Sequence, residues 1–105
     1  MPLLQVLDLS VNGLSSELPA NFCNKLPFLE ELYLSKNMFY GEIPSDLANC
    51  GYLRILVLQF NNFSGAIPKE IGNLTKLEKI DLHYNRLQGA SYYTLCYTHS
   101  CDILP

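Results

Sequence analysis

The stretch from Leu53 to Asn73 reads LRILVLQFNNFSGAIPKEIGN, and it decides the fold. Leu56 and Leu58 stand two residues apart, a spacing that puts both side chains on one face of a strand. The same pattern occurs 24 residues earlier, from Leu29 to Asn49, as LEELYLSKNMFYGEIPSDLAN. A stretch that recurs at this period indicates a repeat architecture.

Four units of the repeat follow one another along the chain. We place three complete units at residues 4–28, 29–52 and 53–76, a partial unit at 77–89, and a divergent tail at 90–105. Leucine is correspondingly abundant, with twenty of 105 residues. Gaps of 25, 24 and 24 residues separate the asparagines that mark the units, which are Asn12, Asn37, Asn61 and Asn85.

Stacking of these units explains each position of the repeat. The paired leucines predict short strands that pair in parallel about 4.8 Å apart and share one core. The asparagine amides are expected to form a ladder that bonds backbone groups of neighbouring turns. Gly-x-Ile-Pro predicts a second extended stretch, and the residues after each proline predict one helical turn. The predicted fold class is an α/β repeat solenoid, with a parallel β-sheet on the concave face and short helical or 3-10 turns on the convex face.

Composition excludes several classes of protein. Hydrophobic residues make up 49% and charged residues 16%, which is too apolar for intrinsic disorder. A net charge of −3 without a basic run argues against nucleic acid and anionic membrane surfaces. No stretch reaches the roughly 18 apolar residues of a membrane-spanning helix. We therefore predict neither a nucleic-acid partner nor a membrane-spanning segment in this chain.

The pattern L-x-x-L-x-L-x-x-N-x-L/F-x-G-x-I-P resembles the plant-type extracellular leucine-rich repeat. It is found in the ectodomains of leucine-rich repeat receptor-like serine/threonine kinases, and the match runs from about Leu4 to Gly89. The resemblance implies a solenoid whose strand face binds a protein or peptide ligand or a co-receptor ectodomain, in signal perception during defence or development. Neither a glycine-rich phosphate loop nor an H-R-D loop is found in this sequence, so we expect no enzyme activity.

Strand positions not occupied by the leucines, together with the two positions after each strand, are predicted to point away from the core and to form a grid. Apolar and aromatic residues stand there beside charges, and exposed patches of this kind often mark interaction sites. The alternative is that such repeats tolerate these residues, or that further repeats shield them. The predicted ligand-binding residues are Glu31, Tyr33, Ile55, Val57, Phe60, Asp81, His83 and Tyr84.

Two glycosylation sequons begin at Asn62 and Asn73. Their use requires entry into the secretory pathway, and the resemblance implies an extracellular or plasma-membrane location. The N-terminus lacks the basic start and apolar segment of a secretory signal. A chain translated as written would therefore be expected to stay in the cytosol.

The four cysteines fall into two pairs. We expect Cys23 and Cys50 to be free buried thiols on the helical side of the units. The resemblance implies a possible disulfide between Cys96 and Cys101, because family members cap their solenoids with paired cysteines. With His99, these two offer three zinc ligands without an obvious fourth, so neither a metal site nor a cofactor is predicted.

The tail departs from the repeat after Gly89. Either a longer array ends in a truncated or mis-joined reading frame, or the tail forms a short divergent cap. Two other functions stay open beside the receptor ectodomain. One is a stand-alone secreted repeat protein resembling polygalacturonase inhibitors, and the other is a non-functional truncated gene product.

Overall fold

Short strands separated by tight turns make up the chain. The computed structural model describes residues 3–88 and the backbone of residues 101–102. In chain order the elements are β1 (Val6–Asp8), helix α1 (Phe22–Lys25), β2 (Glu31–Tyr33), β3 (Tyr40–Glu42), a first 3-10 helix (Ser45–Asn49), β4 (Ile55–Val57), β5 (Asn62–Ala66), a second 3-10 helix (Lys69–Asn73), β6 (Lys79–Asp81), β7 (Arg86–Gln88) and β8 (Cys101–Asp102).

The paired leucines build a parallel inner sheet in the order β1-β2-β4-β6-β8. Leu7 pairs with Leu32, Leu32 with Leu56, and Leu56 with Ile80. The strands therefore align in the same columns as the repeat units of the sequence. Parallel strands in this register, with helical turns on the opposite side, confirm the predicted solenoid.

A second sheet forms from residues that follow Asn37, Asn61 and Asn85, and its first two strands contain the glycines of the Gly-x-Ile-Pro segments. Its strands are parallel, in the order β3-β5-β7, and we call it the outer sheet. Gly41 and Gly65 have φ of 81° and 73°, in the left-handed region that favours glycine. A Cβ on Gly65 would lie 2.8 Å from Oε1 of Glu42, so the glycines also make room for neighbouring glutamates.

The space between the two sheets is filled by apolar side chains. Phe39 and Phe63 stack there with ring centroids 6.2 Å apart. Each leucine withdrawn from water contributes about 1.5–3 kcal/mol to stability. Inward positions of every unit contribute to this core, including Leu29, Leu32, Leu34, Leu53, Leu56, Leu58, Phe63, Ile71, Ile80 and Leu82.

Asparagine amides join consecutive turns at the ends of β2, β4 and β6, whereas the amide of Asn12 after β1 donates to carbonyls of its own turn. Nδ2 of Asn61 donates to the carbonyls of Leu34 and Leu58, at 2.8 and 3.1 Å, and Oδ1 accepts from the amide of Phe39 at 3.0 Å. Asn37 and Asn85 make the equivalent bonds one unit before and one unit after. Each of these three amides thus satisfies backbone groups of its own turn and of the turn before it.

The 3-10 helices begin directly after proline. The amides of Leu47 and Ile71 each donate to the proline carbonyl three residues earlier, at 3.1 Å. Proline suits this position because its fixed φ is compatible with a helix start and its missing N–H is not needed there. Leu47 and Ile71 then point into the core, where both are buried.

Cys23 and Cys50 form a disulfide, so the expectation of two free thiols was wrong. Both are buried, as expected, on the helical side of the first two units. Stacking of these units brings their Cα atoms to 5.1 Å, which lies within the range that a disulfide spans. The pairing was missed because the two cysteines are 27 residues apart, out of step with the 24-residue period.

Part of the divergent tail returns to the inner sheet. Strand β8 pairs in parallel with β6, with Ile80 opposite Cys101 and Asp81 opposite Asp102. The sequence offered no signal for this strand, because its two residues do not follow the leucine pattern. Pairing through the backbone requires no particular side chain, and this explains how a divergent sequence can join the sheet.

Asn61 and its neighbour Asn62 allow a matched test of the asparagine ladder. Asn61→Ala leaves the buried amide of Phe39 without its acceptor and removes one of the two donors to the Leu34 and Leu58 carbonyls, so we expect the free energy of unfolding to fall by about 2 kcal/mol. Asn62 is exposed and lies outside the ladder. Asn62→Ala should change stability by no more than about 0.5 kcal/mol. Urea denaturation followed by circular dichroism measures both, and equal losses would contradict the role of the ladder.

The disulfide is tested by removing both cysteines. Cys23→Ala with Cys50→Ala frees a long loop in the unfolded chain, and we expect a loss of about 3 kcal/mol in the free energy of unfolding. Alkylation of the unreduced protein followed by peptide mass mapping checks the pairing directly. Recovery of alkylated Cys23 and Cys50 without prior reduction would show that the bond is absent.

Candidate ligand-binding face

Outward side chains of the inner sheet form a continuous surface, which we call the strand face. Strand register places Glu31 beside Ile55 and Tyr33 beside Val57. Asp81 follows beside Val57 on β6. The predicted ligand-binding residues of different units are thus neighbours on adjacent strands, about 4.8 Å apart.

Phe60 and Tyr84 form a stacked aromatic pair on this face. Their ring centroids are 4.3 Å apart and the ring planes differ by 12°. Both rings are well exposed, with 41% and 57% of their surface accessible. The ammonium of Lys36 lies 5.9 Å from the centroid of Phe60, so a cation, a phenyl ring and a phenol follow one another across three units.

A left-handed backbone turn projects these side chains. Val11, Lys36, Phe60 and Tyr84 have φ between 57° and 58°, which is uncommon for residues other than glycine. Each stands immediately before a ladder asparagine, which bonds the backbone around the turn. The residue types at these four positions give no signal for this conformation. The only signal for it is the position directly before the recurring asparagine.

Histidine 83 is held beside a carboxylate. Its Nδ1 lies 2.9 Å from Oδ1 of Asp81, and its backbone amide donates to the same oxygen at 3.3 Å. The His83 and Tyr84 rings are 6.0 Å apart at their centroids. The imidazole is therefore oriented by Asp81 at the side of the aromatic pair.

A cluster of charged and phenolic groups lies where the strands begin. The hydroxyl of Tyr33 donates to Oε1 of Glu31 at 2.6 Å, and this hydrogen bond to the carboxylate raises the pKa of Tyr33 above its ordinary value. Arg54 lies 3.8 Å from Glu31 and bonds Glu78 on the following unit. Glu31 and Tyr33 are thus tied to each other and to a cation of the next unit.

Val57 is buried, so its predicted place in the exposed patch was wrong. Only 7% of its surface is accessible, although it points away from the leucine core. Its partners on the two neighbouring strands are Tyr33 and Asp81. Ile55, the first residue of the same strand, is half-buried. Exposed apolar surface of the strand face is therefore found at Phe60 and Tyr84, with Val6 and Val11 of the first unit at the edge of the sheet.

The remaining predicted residues lie away from the strand face or outside the description. Asn62 is exposed on outer strand β5, and Asn73 is exposed at the end of the second 3-10 helix. Cys96 and His99 lie outside the described residues, and only the backbone of Cys101 is described. Among the described residues, no three His, Cys, Asp or Glu side chains lie together in a group that could hold a metal ion. No helix in the described part of the chain is long and apolar enough to cross a membrane.

Comparison with known proteins agrees with this architecture. Residues 3–25, 28–50 and 52–74 match the family model described as Leucine Rich Repeat. The comparison with curated proteins finds no match.

Solved structures of plant receptors resemble the chain closely. The BIR2 ectodomain from Arabidopsis thaliana is 47% identical at a TM-score of 0.80, over 81% of this chain and 44% of that one. A chain of the Arabidopsis thaliana BIR3–SERK2 complex is 41% identical at a TM-score of 0.80, over 81% and 45%. A chain of the Arabidopsis HAESA complex with the peptide hormone IDA and the co-receptor SERK1 is 35% identical at a TM-score of 0.82, over 97% and 17%.

The chain spans less than half the length of each of these three solved chains. The chain therefore belongs to the leucine-rich repeat family, and its repeats are similar to those of plant receptor kinase ectodomains.

Proposed function

We propose that the chain is a protein- or peptide-binding module of a plant receptor kinase ectodomain, acting in signal perception during defence or development. The observation that carries the proposal is the stacked pair of Phe60 and Tyr84 on the strand face. The ligand is a peptide or the ectodomain of a co-receptor. The module acts by binding and carries out no chemistry of its own.

The aromatic pair is suited to binding because it is rigid, apolar and exposed. Phe60 and Tyr84 hold each other in place, so little side-chain entropy is lost when a partner covers them. Tyrosine and other large side chains at the centre of an interface commonly supply most of its binding energy. Lys36 and the Asp81–His83 pair lie beside the rings and provide polar contacts that orient a ligand.

Similar proteins support the class of ligand. HAESA is solved in complex with the peptide hormone IDA and the co-receptor SERK1, and BIR3 in complex with SERK2. This chain presents a strand face built on the same repeat. A peptide or co-receptor contact fits an open sheet surface better than it fits a small-molecule pocket.

Binding is favoured over catalysis by the surroundings of His83. The Asp81–His83 pair would need a nucleophile within about 3 Å to act as a general base. In the column of strand-face side chains that contains His83, the nearest described hydroxyl belongs to Ser35. That residue is two strands away, a separation of about 10 Å. We therefore assign Asp81 and His83 to ligand contact.

An extracellular location follows from the same proposal. The disulfide between Cys23 and Cys50 is of the kind that persists in oxidising compartments such as the cell exterior. The exposed sequons at Asn62 and Asn73 are then accessible to glycosylation.

Binding to the SERK1 ectodomain and to the IDA peptide tests the proposal by biolayer interferometry. The unchanged chain is expected to bind one of these two probes. In the double variant Phe60→Asn with Tyr84→Asn, the Kd for that probe should rise at least tenfold, because both rings are lost. Asparagine is chosen because it tolerates the left-handed backbone at these positions.

A matched control lies on the outer sheet. Arg86 and Gln88 are exposed on β7, away from the strand face. Arg86→Ala with Gln88→Ala should leave binding within twofold, roughly the size of effect expected outside an interface. Failure of the unchanged chain to bind either probe, or equal weakening by both pairs of substitutions, would count against the strand face as the binding surface.

A further inference from the structure

An exposed asparagine and an exposed tyrosine are neighbours on the outer sheet. Tyr40 on β3 is the direct partner of Asn62 on β5, so their side chains lie on the same face about 4.8 Å apart. The next residue of β5, Phe63, is completely buried. Because side chains alternate along a strand, Tyr40 and Asn62 both point away from the core.

The amide of Asn62 is available for modification. Its neighbour Asn61 uses its side chain in the ladder, whereas the side chain of Asn62 makes no hydrogen bond to the residues described between 3 and 88. Ser64 completes the sequon two residues later, on the same face of the strand. The site therefore has both the accessible amide and the hydroxyl that N-linked glycosylation requires.

The ring of Tyr40 offers a surface for a sugar. It is 46% exposed, and aromatic faces carry partial negative charge that attracts polarised C–H groups. One face of a pyranose ring presents such C–H groups. A sugar attached to Asn62 would begin within one strand spacing of this phenol ring.

We propose that Asn62 carries an N-linked glycan whose first sugar packs on the ring of Tyr40. In the transfer, C1 of N-acetylglucosamine becomes bonded to Nδ2 of Asn62, and the C1–O bond to a lipid-linked diphosphate breaks. The diphosphate leaves with the bonding electron pair, and the amide nitrogen releases one proton. The proposal rests on the extracellular location in the proposed function, because this transfer takes place in the secretory pathway.

The second sequon provides a control on a different element from Tyr40. Asn73 ends the second 3-10 helix, whereas Tyr40 lies on β3 of the outer sheet. The effect on stability of a glycan on Asn73 should therefore not depend on Tyr40.

Four forms of the full chain, directed into the secretory pathway of a plant cell, test the proposal. All carry Asn73→Gln, and they combine Tyr40 or Tyr40→Ser with Asn62 or Asn62→Gln. Mass spectrometry gives the occupancy of Asn62, and thermal unfolding gives the midpoint. With Tyr40 present, the glycan should raise the midpoint by about 4 °C, and with Tyr40→Ser by less than about 1 °C.

A parallel set that carries Asn62→Gln instead measures the glycan on Asn73. Its effect on the midpoint should be the same with Tyr40 and with Tyr40→Ser. An unmodified Asn62 in the secreted chain would overturn the proposal, and so would an equal shift at Asn62 with and without Tyr40. A glycosylated chain whose thermal midpoint depends on Tyr40 as expected supports the proposal. If that same chain binds neither SERK1 nor IDA, the failure to bind counts against the proposed function and not against the glycan site.

Discussion

From the second unit on, each turn of this solenoid depends on one asparagine that bonds the backbone of two consecutive turns. The chain must bend sharply after every inner strand, and the bend exposes carbonyl and amide groups that the neighbouring strands cannot satisfy. The amide of Asn61 donates to carbonyls of two turns and accepts from the amide of Phe39, so it satisfies groups that burial would otherwise make unfavourable. Because each asparagine has to meet the turn before it, the units stack at a constant offset, and this offset aligns the inner strands.

The same constraint creates the surface on which we place the function. The residue before each ladder asparagine adopts a left-handed backbone, and its side chain is projected beside the strands. Two of these positions hold Phe60 and Tyr84, which stack because consecutive units are one strand spacing apart. A feature that stabilises the backbone therefore also sets the distance between the two rings. The outer sheet carries Tyr40 beside Asn62 by the same offset. The proposed ligand contact and the proposed glycan attachment therefore lie on different sheets.

Charged groups add less to the fold than the ladder does. Arg54 connects Glu30, Glu31 and Glu78 across three units, but its side chain is partly exposed. Exposed ion pairs of this kind contribute at most about 1 kcal/mol each. Their effect on Tyr33 is more specific, because Glu31 accepts the phenol hydrogen bond and raises the pKa of that group. The cluster therefore orients side chains at the edge of the strand face more than it stabilises the solenoid.

The sequence alone determined the repeat period, the parallel inner sheet, the helical turns after proline and the columns of the strand face. These follow from local patterns that recur at a constant spacing, so each unit predicts the next. Residues of different units that meet without occupying the same position of the repeat are seen only in the tertiary structure. Cys23 and Cys50 pair because two helical turns stack, and Val57 is buried although it points away from the leucine core. Strand β8 joins the sheet through its backbone, and Tyr40 lies beside Asn62 because the outer strands pair. Such contacts depend on the distance and size of neighbouring side chains in space, and a periodic sequence pattern does not record either of these.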